Sequence, residues 1–173
     1  ERRPRRPAPP PSGWSRWRWG SGGSAGEVGP GAEVLAYVPN ILFSTNAADG
    51  LHYLSDPAYA HRYYVDGRPT IADVYARTKS TGATSWKTVL VGGLRGGGRG
   101  LFALDVTNPG SFSEAGQAPA DTVMWEFTSV NDPDLGYTFS RPSIVPLAGP
   151  SNSIRWGIVV GNGYNDLGSG QAK

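Results

Sequence analysis

Cysteine is absent from the 173 residues, methionine occurs once and histidine occurs twice. Without cysteine, the chain has no disulfide framework, no thiolate chemistry and no cysteine-based zinc site. The sequence also has no run of about 18 or more apolar residues, so it predicts no membrane-spanning helix. These absences direct attention to folds that are held together by packing and backbone hydrogen bonds alone.

Glycine and proline are abundant, with 25 and 15 residues respectively. This composition favours many turns between short strands and argues against long helices. The net charge is only +2, and arginines near the start of the chain supply most of the positive excess. The calculated pI therefore says little about the folded part, and the sequence predicts no nucleic acid as a partner of that part.

The stretch from Trp86 to Val106 predicts a β-hairpin. An apolar run at 89–91 ends on Gly92 and Gly93, and a second apolar segment occupies 101–106. The connection at 95–100 reads RGGGRG, which is too flexible and too poor in side chains for a helix.

The hairpin pattern occurs twice. Residues 141–144 (RPSI) echo 68–71 (RPTI), and 156–161 (WGIVVG) echo 86–92 (WKTVLVG), so that the offset is 69 to 73 residues. Repetition of strand-only units at this scale predicts blades of a β-propeller. Further strands are predicted at 33–38, 61–67, 70–75, 123–127, 143–147 and 156–160, with one short helix between 40 and 60.

The predicted fold class is all-β: an incomplete β-propeller of about two blades of antiparallel strands, with a disordered N-terminal tail. Residues 1–32 form the tail, which is rich in Arg, Pro, Gly and Trp and has no hydrophobic period. Residues 33–173 form the partial propeller, which we expect to be truncated at its C-terminus because closure needs at least about four blades. The tail suits either a nucleic-acid arm or a flexible linker, and the linker is favoured.

The glycine-rich connection invites a phosphate-loop interpretation, since bare backbone N–H groups can cradle anions. However, no Lys-Ser or Lys-Thr follows the glycines, and a strand rather than a helix comes next. The run also resembles RNA-binding RGG segments, but a hairpin between two strands explains it better.

Calcium is the metal that the oxygen-rich turns suggest. Asp132 and Asp134 have the spacing of the first two ligands of an EF-hand loop, but Gly136 takes the third ligand position and Ser143 the twelfth. That loop is therefore not an EF-hand. Asn162, Asn165 and Asp166 could bind an ion, although a hairpin turn needs such residues anyway.

The remaining candidate residues favour structural roles. His52 and His61 match no metal-ligand spacing, and no paired carboxylate or serine elbow accompanies them. We interpret both as ordinary surface or hydrogen-bonded histidines. Trp86, Trp125 and Trp156 fall at or near equivalent strand positions, which predicts core packing between sheets. The sequence thus yields no catalytic, cofactor-binding or metal-binding residue.

Several blocks in the same order resemble one family. They are 35–39 (LAYVP), 61–67 (HRYYVDG), 86–109 ending ALDVTNP, 132–143 (DPDLGYTFSRPS) and 160–165 (VGNGYN). Together they are similar to the C-terminal β-propeller of the PilC/PilY family of type IV pilus proteins, over roughly residues 33–170.

The resemblance implies a non-enzymatic factor in type IV pilus biogenesis and adhesion, which acts by protein binding through a propeller surface. It implies pilin subunits, other pilus components or a host-cell ligand as partners. The implied location is extracytoplasmic, at the cell surface, pilus or outer membrane. The family also implies calcium in an Asp-rich loop, expected beyond Lys173, so no metal ligand and no cofactor is placed on this chain.

The alternative is a quinoprotein-like propeller dehydrogenase that uses pyrroloquinoline quinone (PQQ). The blades of such enzymes carry an Ala-x-Asp-x-x-Thr-Gly stretch followed by a tryptophan, and residues 103–108 (ALDVTN) with Trp125 are loosely similar. Shared blade packing explains the likeness better than quinone chemistry does, since a fold does not decide function.

Overall fold

The computed structural model describes residues 17–18, 31, 33–44, 46 and 50–164. Eight strands and one short helix occur there, with five 3-10 turns between them. The strands are β1 (Trp17–Arg18), β2 (Ala36–Tyr37), β3 (Thr70–Arg77), β4 (Thr84–Gly93), β5 (Gly100–Asp105), β6 (Val123–Thr128), β7 (Ser143–Ala148) and β8 (Ile154–Val159). The helix is α1 (Ala118–Thr122), and the 3-10 turns are Asn40–Leu42, Gly50–Ser55, Arg95–Gly97, Pro109–Ser111 and Pro150–Asn152.

The main sheet is antiparallel and has the order β3-β4-β5-β6. Thr70 lies opposite Val91, Val91 opposite Ala103, and Ala103 opposite Trp125. Because side chains alternate between the faces of a strand, Val89 and Val91 point to the same side and both are buried. That side is one face of the core.

Strands β7 and β8 form a separate two-stranded sheet that packs on this face. Its residues Ile144, Trp156 and Ile158 contact a core made by Val74, Val89, Val91 and Ala103. Each fully buried aliphatic side chain contributes roughly 1.5–3 kcal/mol. The two sheets are therefore held together by apolar packing, as neighbouring propeller blades are.

The N-terminal segment contacts the opposite face of the main sheet. The Tyr37 ring lies 5.0 Å from the Phe102 ring, measured between centroids. The Glu126 carboxylate accepts hydrogen bonds from the Tyr37 hydroxyl and from the Asn40 backbone N–H, the latter at 2.9 Å. A Cβ at Gly92 would lie 2.5 Å from the Phe102 ring, so this cross-strand pair requires glycine at 92.

The all-β fold class with antiparallel sheets is confirmed, as are the hairpin at 86–106 and the strands near 70–75, 123–127, 143–147 and 156–160. Three element predictions are wrong. The strand expected at 33–38 shrinks to the two residues of β2, residues 61–67 form no strand, and the loop at 95–100 contains a 3-10 turn. The sequence analysis also missed α1.

The physical reason at 61–67 is that the segment lies against the hairpin loop and not beside a strand. A Cβ on Gly67 would sit 1.9 Å from the Gly93 carbonyl oxygen, and the Asp66 N–H donates to the Leu94 carbonyl at 3.4 Å. The segment therefore crosses the hairpin loop despite its alternating pattern, and it pairs with no strand.

The tryptophan prediction is only partly correct. Trp125 and Trp156 are half-buried against the core, but Trp86 is 63% exposed. Its ring meets Trp156 edge-on, with centroids 6.1 Å apart, and Tyr75 at 5.7 Å. Trp86 alternates with Lys87, Val89 and Val91 along β4, so its ring is not enclosed between the two sheets.

The predicted disordered tail lies outside the described residues, except for β1 and Gly31. Strand β1 pairs with β2, with Trp17 opposite Tyr37. Among the described residues, no helix has the length and hydropathy that a membrane span needs.

Candidate binding surface

The loop between β4 and β5 is the centre of the candidate site. Leu94 is almost fully buried beneath it, and the Leu94 N–H donates to the Gly100 carbonyl at 3.1 Å, which closes the loop. Arg95 adopts a left-handed backbone conformation with φ +48°. Because non-glycine residues rarely adopt this conformation, the surroundings must hold it in place.

Thr138 provides that restraint. Its side chain is 0% exposed, and its hydroxyl accepts hydrogen bonds from the N–H groups of Leu94 (3.0 Å) and Arg95 (3.3 Å). The same hydroxyl donates to the Gly100 carbonyl at 2.9 Å. One threonine from the connection between the sheets therefore fixes both ends of the loop.

We expect Thr138→Val to lower the free energy of unfolding by about 2 kcal/mol, because the Arg95 N–H loses its acceptor in a partly buried place. Thr138→Ser keeps the hydroxyl and should cost about half as much. Urea unfolding of both variants measures the difference. Equal stability of the valine and serine variants would show that the hydroxyl does not hold the loop.

Aromatic side chains surround the loop. The His61 and Tyr63 rings meet edge-on at 5.4 Å, while Tyr164 stacks on Phe139 at 5.9 Å and contacts Tyr137 at 5.3 Å. We call the whole set the tyrosine surface. Its members are Tyr53, Tyr59, His61, Tyr63, Tyr137, Phe139 and Tyr164.

Two arginines stack on this surface. The Arg62 guanidinium lies 3.8 Å from the centroid of the Tyr53 ring, and that of Arg95 lies 5.4 Å from the Phe139 centroid. A cleft of about 500 Å³ lies beside this surface and is lined by Ile41, Leu42, Arg62, Tyr63 and Tyr137, among others. Tyrosine and arginine at the rim of a cleft are the residues that dominate protein–protein recognition.

A second, polar pocket of about 410 Å³ lies at the other end of β5. Its wall contains an ion pair between Lys87 and Asp105, and the Asp105 carboxylate also accepts from the Thr107 N–H at 3.1 Å. Burial raises the pKa of Asp105, but hydrogen bonds from Lys87 and Thr107 outweigh it and hold the pKa below its ordinary value. The carboxylate is thus engaged in packing β4 against the turn that follows β5.

Asp121 lines the same pocket, and Lys79 interacts with Asp121 electrostatically. The Lys79 ammonium donates to the Val123 carbonyl at 2.7 Å, and Asp121 accepts from the Ser80 N–H at 2.9 Å. Partial burial lowers the pKa of Lys79, while the negative charge of Asp121 opposes this shift. These contacts tie the β3–β4 turn to the end of α1, which is a structural role.

Both histidines are exposed, as predicted. Asp132 accepts from the Asp134 N–H at 3.0 Å, which makes a turn, and the Asn162 amide donates to the Asp134 carbonyl at 2.6 Å. Asn162 therefore contributes to a backbone turn, whereas Asn165 and Asp166 lie outside the described residues. In the part of the chain that the structure describes, no three His, Cys, Asp or Glu side chains gather as metal ligands.

Sequence reasoning missed Thr138, Arg95 and the tyrosine surface as functional candidates. The one signal that was available is the concentration of tyrosines in 59–64, which the two more widely spaced tyrosines at 137 and 164 join in space. These residues are far apart in the chain, and only the fold brings them together.

The family model described as the PilY1 beta-propeller domain matches residues 30–173. A type IV pilus biogenesis factor PilY1 homolog from Xylella fastidiosa is 45% identical over 135 residues, which are 78% of this chain and 8% of that protein. PilY1 from Pseudomonas aeruginosa PAO1 is 38% identical over 140 residues, which are 79% of this chain and 10% of that protein.

A solved structure, the C-terminal domain of Pseudomonas aeruginosa PilY1, is 42% identical, with a TM-score of 0.44 over 60% of this chain and 18% of that one. The chain thus spans only about a tenth of the length of its curated relatives. The family match itself covers most of the chain, including both sheets and the tyrosine surface. The chain belongs to the PilY1 β-propeller domain family.

Proposed function

We propose that this chain is part of a type IV pilus biogenesis factor and acts by binding another protein through the tyrosine surface. The names of the relatives support the pilus role, since they are biogenesis factors and not enzymes. The observation that carries the binding mode is a cleft of about 500 Å³ lined by Arg62, Tyr63 and Tyr137, with the Arg62 guanidinium stacked on the Tyr53 ring beside it.

The partner that fits this surface is another pilus component, such as a pilin subunit. Tyrosine offers a large rigid ring with a polar tip, so it gains contact area at little entropic cost. The alternative partner is a host-cell ligand of the kind that an adhesin binds. It would contact the same tyrosine rings. The corresponding location is the cell surface or the pilus.

No enzymatic step is part of this proposal. The matches to known proteins give the quinoprotein alternative no support, and Asp105 in the Ala-x-Asp stretch is engaged by Lys87 and Thr107. An absorbance spectrum of the full-length protein without a bound quinone is the expected result. The calcium loop implied by the resemblance is expected beyond Lys173 and stays a prediction.

The test is complementation of a strain that lacks the gene, using the complete gene with the double change Tyr63→Ser and Tyr164→Ser. Both rings are more than half exposed, at 59% and 57%, so the fold should survive. We expect surface pili to fall by on the order of tenfold or more, since hot-spot tyrosines each contribute about 2 kcal/mol. Immunoblots of sheared pili give the measurement.

Tyr75→Ser is the matched control, because Tyr75 is 52% exposed but lies on β3, away from the cleft. This variant should restore pili to the unmodified level. Normal piliation by the double variant, at normal protein abundance, would refute the tyrosine surface as the binding site. An equal loss with Tyr75→Ser would also refute it.

A further inference from the structure

Beside the tyrosine surface lies a small cavity of about 60 Å³ that is lined by three arginines. Arg68 precedes β3, Arg95 belongs to the hairpin loop, and Arg141 precedes β7. Gly67, Gly93 and Ser140 complete much of the wall. No acidic residue is among the described residues that line this cavity, which we call the arginine pocket.

The nearest acid that contacts an arginine of the pocket is Asp66. Its carboxylate lies 3.8 Å from the Arg95 Nη1 atom, which is beyond hydrogen-bond distance. Both side chains are about one-third or more exposed, so this pair is weak. Among the described residues, this weak pair is thus the one ion pair that involves the three arginines lining the pocket.

Two of the arginines are held in place. The Arg141 Nε–H donates to the Thr70 hydroxyl at 3.1 Å, and that hydroxyl donates to the Pro142 carbonyl at 2.7 Å. Arg95 is positioned by its left-handed backbone and by the Thr138 hydrogen bond. The strained backbone of Arg95 and the buried Thr138 hydroxyl therefore hold a cation at this position.

The Arg95 Nε atom is buried and, within the described residues, has no hydrogen-bond partner. Buried donors in folded proteins are nearly always satisfied, by protein, water or a ligand. An arginine has five N–H donors in a planar fork that matches the two oxygens of a carboxylate. The Arg95 Nε–H donor and the positive charge of the three arginines both favour an anion with oxygen acceptors.

We propose that the arginine pocket binds a single small oxyanion of carboxylate type. The volume of about 60 Å³ holds a group of a few atoms, since one water takes about 30 Å³ of liquid. The carboxylate is carried either by a small free molecule or by an acidic side chain of a protein partner. Only the second case rests on the proposed function.

The test follows the arginine Nε–H signals of the 173-residue chain by NMR, at constant ionic strength. One arm adds sodium acetate, and the other adds a five-residue peptide with one aspartate between alanines. We expect a saturable shift of the Arg95 signal in at least one arm. Binding of acetate alone indicates a free anion, whereas tighter binding of the peptide, lost when its aspartate is replaced by asparagine, indicates an acidic side chain.

Arg68→Gln and Arg141→Gln should each weaken this binding by about fivefold or more, because each removes one charge from the pocket. Arg77→Gln is the control, since it removes an equal charge from an exposed position on β3 outside the pocket. An unchanged Arg95 signal in both arms, or an equal loss with Arg77→Gln, would overturn the proposal. The acetate arm needs no pilus, so its outcome is independent of the complementation result.

Discussion

Replacement of Asp105 by alanine is expected to lower the free energy of unfolding by about 3–5 kcal/mol, the range for breaking a buried ion pair. Lys87 would keep its charge in a place where its side chain is only 9% exposed, and it would lose its carboxylate partner. The change would also remove the acceptor of the Thr107 N–H. Urea unfolding, followed by tryptophan fluorescence, measures the loss.

Asp73→Ala is the matched control, because Asp73 is an exposed acid on β3 that accepts one hydrogen bond from Thr88 at 2.7 Å. It should cost less than about 1 kcal/mol. The double variant Lys87→Met with Asp105→Asn should be more stable than Asp105→Ala, since it leaves no charge unpaired and keeps an acceptor for Thr107. A cost for Asp105→Ala no larger than that for Asp73→Ala would show that the pair is not important.

The same pair sets a pH dependence. The pKa of Asp105 is raised by burial but lowered further by its hydrogen bonds, so in the folded protein it lies below the ordinary value of 3.8. A carboxyl with a depressed pKa stabilises the fold above its unfolded pKa, and this stabilisation is lost as the pH falls through the folded pKa. The melting temperature of the unmodified chain should therefore fall more steeply below about pH 4 than that of Asp105→Asn.

The sequence was sufficient to predict the main hairpin, because the features that specify a hairpin lie within the hairpin itself. The runs on either side of the RGGGRG loop have the length and the β-branched residues of strands, and β4 and β5 pair as expected. The repeat at 69 to 73 residues also located β7 and β8 correctly. These elements follow from propensity and periodicity, which need no knowledge of distant residues.

Register could not be predicted from the echo between the two units. Thr70 lies opposite Val91, and Ser143, which occupies the equivalent place in the second unit, lies opposite Val159. Trp86 precedes Val91 by five residues, whereas Trp156 precedes Val159 by only three. The tryptophans are similar in sequence context but not equivalent in the sheets. Trp86 is exposed, whereas Trp156 contacts the core.

The candidate site was the least predictable part, because it is assembled from distant stretches. Thr138 gives no sequence signal, yet its hydroxyl contacts Leu94, Arg95 and Gly100 across about 40 residues. Likewise, the segment 61–67 alternates as a strand would, but its position is set by glycines of the hairpin loop. Such contacts depend on tertiary packing, which overrides local preference.

Gly97→Ala is expected to lower the free energy of unfolding by about 3 kcal/mol, at the upper end for an overpacked site. A Cβ at this position would lie 1.8 Å from the Tyr64 carbonyl oxygen and 2.3 Å from its carbonyl carbon. Both are backbone atoms, so a side-chain rotation cannot relieve the clash. The segment 61–67 must move away from the loop, which takes Tyr63 with it and opens the cleft of the tyrosine surface.

Gly98→Ala in the same loop is the control, because its nearest heavy atom is Leu94 Cδ1 at 3.3 Å, the end of a flexible side chain. That variant should cost less than about 1 kcal/mol. Urea unfolding compares the two, and hydrogen exchange at the Asp66 N–H, which donates to the Leu94 carbonyl, should accelerate only in Gly97→Ala. If both variants are equally stable and exchange alike, the segment 61–67 is not packed on the loop, and the tyrosine surface is not assembled as described.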